Sequence, residues 1–274
     1  MESARENTMN LFDDVETIVL KFGTAIITSD DQVNHLWIRT KVKEMASLMK
    51  KGKKIILVSS GAVAAGMHER GLKKRPANIF ELQLLSGIGQ PLLFKLYKDL
   101  FYHHGFYTAQ ILLTHHNFQT PRERLNIQKI LNQCLSQGIV PVINTNDIIT
   151  NEELMKKASI KFSDNDQLAA LVAKNLNSDL LLIVTNVEGL YSKMPKRGQS
   201  GELIDVIPKV TRAVELMASH GKSDLGLGGM ISKVRVAKDV AGYGIPTIIA
   251  HGKYNLQDIL THKAPRTLFT AEGI

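Results

Sequence analysis

Short apolar runs recur along the chain, each followed by a longer stretch with helical spacing. The runs are Thr17–Gly23, Lys54–Ser60, Thr108–Thr114, Ile139–Asn144, Leu180–Asn186 and Thr247–Gly252. They are near-continuous rather than alternating, the pattern of strands buried on both faces, as in a parallel sheet covered by helices. Of these, Leu180–Thr185 reads as a buried strand. Between the runs, His35–Met49 carries Leu36, Val42, Met45, Ala46 and Met49 at helical spacing. Asn78–His103 is a long helical stretch that Gly87, Gly89 and Pro91 are expected to break. Thr120-Pro121 is a strong helix start, an N-cap followed by proline at the first helical position. Asp164–Asn175 and Gly229–Gly242 predict two further helices. Strand alternating with helix implies an α/β sandwich. With no internal repeat and no Pro/Gly/Ser-rich linker, the expectation is one domain with two lobes.

Composition narrows this picture. The chain has 274 residues, 44% hydrophobic and 22% charged, which excludes pervasive disorder. No apolar run approaches the ~20 residues needed to span a bilayer. The single Cys134 forbids an intramolecular disulfide; at the end of the amphipathic stretch Ile127–Gln137 it reads as a buried structural thiol. The polar N-terminal dozen lacks the basic and apolar regions of a signal peptide. Together these features point to a cytoplasmic protein. The net charge of +8 favours anionic partners in general. The basic groups, at Lys50–Lys54, Lys73–Arg75, Lys156–Lys161 and Lys193–Arg197, are not interleaved with aromatics. A nucleic-acid-binding surface therefore has no motif support.

Five segments could carry chemistry, because ligands of open α/β sheets collect beyond the carboxyl ends of strands. Lys21-Phe22-Gly23-Thr24 can present an ammonium and backbone amides to a phosphoryl group; an edge lysine before a turn is the plainer reading. Ser59–Gly66 (SSGAVAAG) is small enough for a ligand to approach the backbone, or for a helix to pack tightly. Asn144-Thr145-Asn146-Asp147 follows a buried strand as a polar turn, and an acid there could receive a ligand ammonium. Phe162-Ser163-Asp164-Asn165-Asp166 opens an amphipathic helix with more polar side chains than capping requires. Two carboxylates there could hold Mg²⁺ through water or orient nearby lysines. Gly226–Lys233 (GLGGMISK) is a glycine-rich helix start with a lysine one turn in, a phosphate cradle that matches neither G-x-x-x-x-G-K-[ST] nor G-x-G-x-x-G. Two lysines on separate glycine-bearing turns, with acidic clusters between them, describe a phosphoryl-transfer site without a Walker motif.

The order of these segments resembles the amino acid kinase family, and within it the glutamate 5-kinase branch. The matching stretches are KFGTAIIT (21–28), VSSGAVAAG (58–66), QLLSGIGQ (83–90), QILLT (110–114), RERLN (122–126), VPVINTND (140–147), FSDNDQLA (162–169), EGLY (188–191) and GLGGMISK (226–233). The resemblance implies a three-layer α/β/α sandwich with a mostly parallel central sheet. A tail of about residues 1–15 would precede a kinase domain over 16–274. Its N-terminal lobe, to about residue 178, would hold the amino acid, and the lobe from about 179 the nucleotide. By resemblance Lys21 and Lys233 would grip the transferring phosphoryl group and Asp166 would orient both. Ser60, Gly61, Asp147, Asp164 and Asn165 would bind L-glutamate. Lys21, Thr185, Asn186, Leu227, Gly228, Gly229, Met230, Ile231, Ser232 and Lys233 would contact ATP. Mg²⁺ would accompany ATP, with no side chain assigned as its direct ligand. Three positions depart from the family pattern: Asn186 where an acid is common, Leu227 where threonine is usual, and Thr145 where glutamate is usual.

The reaction this resemblance implies is ATP + L-glutamate → ADP + L-glutamyl 5-phosphate, the first step toward proline. Another acceptor within the family, or a weakly catalytic nucleotide- or amino-acid-binding regulator, are the alternatives. The chain closes on TLFT (267–270), like the end of the kinase domain, so the expectation is a kinase domain without the C-terminal PUA domain. A homo-oligomer through helices of the N-terminal lobe is expected, with Ile127–Leu135 one candidate surface, although packing within the chain is the plainer use of that stretch. Proline is expected to inhibit by competing with glutamate, with no nucleic-acid or membrane partner.

Overall fold

A computed structural model of the chain describes residues 13, 15–29, 32–149, 164–193, 201–220 and 229–271. Its centre is an eight-stranded sheet made of β1 (Thr17–Phe22), β2 (Lys54–Ser59), β3 (Thr108–Leu113), β4 (Val140–Thr145), β5 (Leu180–Thr185), β6 (Val206–Ile207), β7 (Thr247–His251) and β8 (Arg266–Phe269). The strand order is β6-β8-β7-β5-β1-β2-β4-β3. Every pairing is parallel except β7 with β8. The mostly parallel sheet with helices on both faces agrees with the sequence reading. Among the described residues, Thr28–Ser29 pairs antiparallel with Gln32–Val33, and Tyr191–Lys193 with Glu202–Leu203, outside this sheet.

Alternation along the strands builds the two outer layers. Ile18, Leu20 and Phe22 of β1 pack in one cluster with α1 (His35–Lys50), α3 (Ile79–His103) and a short helix at Leu256–Leu260. Val19 faces the opposite cluster, which contains α4 (Pro121–Ser136), α5 (Asp164–Leu176), α6 (Arg212–His220) and α7 (Met230–Ala241). The same period-two switch runs through β2 and β5. Helix α4 starts where the sequence indicates: Thr120 caps it, accepting from the Glu123 N–H, with Pro121 in the first turn. It turns Ile127, Leu131 and Cys134 inward, so the thiol is a core residue.

Three expectations need correction. Asn78–His103 is not broken at Gly87, Gly89 or Pro91: α3 is one continuous helix of 25 residues. Tertiary packing overrides the local cost of the proline. The glycines serve that packing, since a Cβ on Gly89 would lie 1.9 Å from the Ala62 carbonyl oxygen and 2.3 Å from the Gly66 nitrogen. Helix α3 therefore runs backbone-close along α2 (Ala62–Glu69). Second, the fourth strand spans Val140–Thr145, so it runs through Asn144 and one residue further, and Thr145 belongs to the strand rather than to the turn. Third, one edge of the sheet is formed by β6 and by β8, which runs antiparallel to β7, and α6 packs on α7; none of these stood out as a continuous apolar run.

The Gly89 contact predicts that Gly89→Ala costs at least about 3 kcal/mol, at the upper end of overpacking effects. Gly138→Ala is the control. Its φ is +67° with open space around it, so it should cost only about 1–2 kcal/mol of left-handed strain. Urea unfolding of both variants measures the difference, and equal losses would show that the α2–α3 approach is not tight.

Candidate active site at the carboxyl edge of the sheet

Lys21 follows from the alternation of β1. Phe22 enters one core cluster, so Lys21 faces the other side, toward α5 and α7. There its ammonium lies 2.5 Å from Asp166 Oδ1, and Lys233 Nζ from α7 lies 3.1 Å from Asp166 Oδ2. The Asp166 side chain has no exposed surface, and the lysine side chains keep only 4% and 12%. Burial pushes the Asp166 carboxyl up, but the Lys21 and Lys233 charges and their hydrogen bonds outweigh it and hold it below its ordinary value. The cluster carries two positive charges and one negative. The sequence reading named all three residues, and the structure brings them together.

The neighbouring part of the edge is polar and dry. Gly61 caps α2 in the left-handed region at φ +105°, a conformation that glycine adopts without penalty, and so turns the chain sharply after Ser60. Asn165 of α5 donates through Nδ2 to Ser60 Oγ at 2.8 Å and to Asn144 Oδ1 at 3.1 Å. Asn144 Nδ2 donates to Gln90 Oε1 at 2.7 Å. Ser86 Oγ donates to Asp147 Oδ2 at 2.8 Å, and Gln83 Nε2 to the Asp147 carbonyl at 2.9 Å. Ser60, Asn144, Asp147, Asn165, Ser86 and Gln90 are all buried. Asp164 opens α5, but its side chain lies outside the described residues.

Sequence reading missed the contribution of α3 to this site. Gln83, Ser86, Gln90 and Tyr97 lie on one helical stripe, at steps of three, four and seven. Tyr97 OH meets Ser59 Oγ at 2.9 Å, and burial pushes its phenol above the ordinary range. Polar residues at helical spacing on a stripe that the periodicity marks as buried were the available signal.

On the other side of Lys21, β5 ends at Thr185, paired in register with His251 of β7. The Gly23 N–H reaches the Val184 carbonyl at 3.4 Å and the Gly252 N–H the Thr185 carbonyl at 2.8 Å, so three strand ends lie side by side. Thr185 Oγ1 donates to Asn186 Oδ1 at 3.4 Å. Helix α7 begins after Gly229, and a helix N-terminus favours an anion. Met230 and Ile231 pack against the core. Ser232 Oγ donates to the Gly229 carbonyl at 2.9 Å. Leu227 and Gly228 lie outside the described residues.

Glu188, two residues beyond Asn186, collects three donors: Lys253 Nζ at 2.7 Å, Tyr254 OH at 2.6 Å and Tyr191 OH at 2.7 Å. These bonds hold its carboxyl down to about 2. Helix α1 anchors the same loop. Trp37 Nε1 donates to the Gly252 carbonyl, Lys41 Nζ to the Tyr254 carbonyl, and the Leu256 N–H to Glu44. Among the described residues no group of three or more His, Cys, Asp or Glu side chains is placed to hold a metal. Asp166 already pairs with two lysines, so the described side chains fit a divalent ion only as the counter-ion of a bound polyphosphate.

Comparison with known proteins bears on the family and the fold. Residues 16–251 match the amino acid kinase family. The chain is 41% identical over 239 residues to a glutamate 5-kinase of Marinomonas sp. (strain MWYL1), covering 87% of this chain and 62% of that protein. It is 35% identical over 268 residues to a glutamate 5-kinase of Clostridium tetani (strain Massachusetts / E88), covering 97% and 98%. The chain thus spans 62% of the length of the Marinomonas relative and nearly all of the clostridial one. Among solved structures, carbamate kinase from Giardia lamblia bound to AMP-PNP matches with a TM-score of 0.63 at 16% identity, covering 94% of this chain and 99% of that one. At that identity the likeness is one of fold.

Two tests address the charges. Asp166→Asn leaves two nearly buried ammoniums without their carboxylate and should cost about 3–5 kcal/mol at pH 7 by chemical denaturation; a loss below ~1 kcal/mol would mean that the lysines do not depend on it. Glu188 has a folded-state pKa below its ordinary 4.5, so its stabilising effect is complete above pH 4.5 and fades as pH falls toward about 2. Glu188→Gln should therefore be less stable than wild type at pH 7, with the gap closing across that acid window. A gap independent of pH would assign the loss to packing.

Proposed function

The chain belongs to the amino acid kinase family, and from that premise we propose that it transfers the γ-phosphoryl group of ATP to the side-chain carboxylate of L-glutamate. The products are ADP and L-glutamyl 5-phosphate, the first intermediate toward proline. The observation that carries this reading is the Lys21–Asp166–Lys233 cluster, a buried site with an excess positive charge beside a helix N-terminus.

A carboxylate oxygen of glutamate attacks the γ-phosphorus, and the bond to the β,γ-bridging oxygen breaks, its electron pair leaving with ADP. The nucleophile is already ionised at neutral pH, so no general base is needed. Catalysis then reduces to alignment and charge stabilisation. Lys21 and Lys233 neutralise charge on the transferring group, and Asp166 holds both ammoniums in place. Asp147, steadied by Ser86, receives the substrate ammonium; Ser60, Gly61, Asp164 and Asn165 line the amino-acid side. Thr185, Asn186 and the Leu227–Lys233 segment take the nucleotide. Mg²⁺ bound to the nucleotide would supply further neutralisation of phosphate charge.

Cytoplasmic residence, assembly into a homo-oligomer and inhibition by proline belong to the same proposal. No helix among the described residues is long and apolar enough to cross a membrane. Leu125 stands exposed on α4 opposite its buried stripe, and Ile130 stands exposed on the flank of that stripe.

An acceptor panel tests the reaction. With ATP and hydroxylamine as trap, L-glutamate should give the acyl hydroxamate, while aspartate and acetylglutamate should not. Lys233→Ala and Lys21→Ala should lower turnover by about 10²–10³ in folded protein. Asp147→Asn should raise KM for glutamate more than KM for ATP, because the contact it removes exists in ground and transition states alike. A preferred acceptor other than glutamate would overturn the substrate; ATP binding without turnover would favour a regulator.

A further inference from the structure

Buried amides and hydroxyls distinguish ligands by which of them donate and which accept, and here that polarity is set from outside the pocket. A backbone N–H can only donate, and that of Thr145 meets Asn144 Oδ1 at 2.9 Å. The Asn144 amide is thereby oriented: its oxygen accepts and its Nδ2 faces the other way, where it requires an acceptor. Gln90 Oε1 stands there at 2.7 Å. Asn144 Oδ1 also meets Asn165, which must present its Nδ2, at 3.1 Å. The same Nδ2 donates to Ser60 Oγ at 2.8 Å. The Ser60 oxygen is thus used as an acceptor on the protein side, and its own proton is directed elsewhere. Each member of this chain of four side chains is at most 8% exposed, so water cannot substitute freely for a lost partner.

We propose that Gln90 is the positioning residue that locks the donor–acceptor polarity of the amino-acid pocket, its Oε1 holding the Asn144 amide in the orientation that the Thr145 N–H selects, so that the Ser60 hydroxyl is a donor toward a ligand carboxylate. Gln90 reaches the site from α3, whose place is set by the close approach at Gly89 and Ala62. One turn earlier on the same helix, Ser86 holds Asp147. The helix thus sets both ends of an amino-acid ligand: a carboxylate acceptor for its ammonium and a hydroxyl donor for its carboxylate. This inference rests on the reading of the site as the glutamate pocket.

The test compares Gln90→Met, which keeps length and removes the acceptor, with Gln90→Glu, which keeps an acceptor oxygen. The full chain is titrated with L-glutamate alone, following the ligand-induced shift in melting temperature, and KM values for glutamate and ATP are measured separately. Gln90→Met should weaken glutamate binding about tenfold or more, the consequence of leaving a buried donor unmatched, with KM for ATP within about twofold. Gln90→Glu should restore glutamate binding to within about threefold. Undiminished binding in folded Gln90→Met overturns the proposal. So does equal weakening in both variants with both KM values rising together, the signature of a residue that merely fills space. If Gln90→Met does not fold, Gln90→Glu decides alone, and a tenfold loss in that folded variant overturns the proposal. If wild type responds to another acceptor but not to glutamate, the substrate reading fails, and the same pair of variants judges the polarity on that acceptor.

Discussion

Two ammonium groups share one carboxylate in a place almost closed to water, and the rest of the molecule is arranged around that fact. Charge this deep is tolerated only when it is paired, and Asp166 pairs with both lysines at once. The pairing leaves one positive charge in excess, which favours an anionic ligand. It also ties together three elements distant in sequence: the end of β1, the first turn of α5 and the first turn of α7. The parallel sheet makes this possible, because it brings its strand ends and the following helix starts to one edge.

Around that centre the two sides of the edge are built differently. On one side a long helix delivers polar groups into the interior. Gln83, Ser86, Gln90 and Tyr97 reach Asp147, Asn144 and Ser59 from a single stripe of α3. That helix can lie so close only because Gly66 and Gly89 carry no side chain. Hydrogen-bonded side chains of fixed orientation suit recognition of a small amino acid, whose ammonium and carboxylates must be told apart. On the other side the loop after β7 is held by α1 through Trp37, Lys41 and Glu44 and by the Glu188 collar. That side is held by charged groups, Lys41 with Glu44 and Lys253 with Glu188.

Much of this was legible in the residues. Near-continuous apolar runs announced a sheet buried on both faces, and Thr120-Pro121 marked the start of α4 within a residue. The charged cluster was legible as well, because Lys21, Asp166 and Lys233 sit beside glycines or caps at strand ends and helix starts, where local sequence marks them. Two kinds of information were not local. Pro91 and its neighbouring glycines carry helix-breaking propensity, yet the backbone contact between α2 and α3 makes them part of one continuous helix. Thr145 looked like part of a turn, yet pairing with β3 keeps it in the strand. The orientation of the Gln90–Asn144–Asn165–Ser60 chain depends on residues up to 105 positions apart. The sequence by itself determined the alternation of elements and the identity of the charged groups, since both follow from local pattern. Only the tertiary structure decided which amide faces which, because a side-chain amide acquires direction only from the partner that packing places beside it.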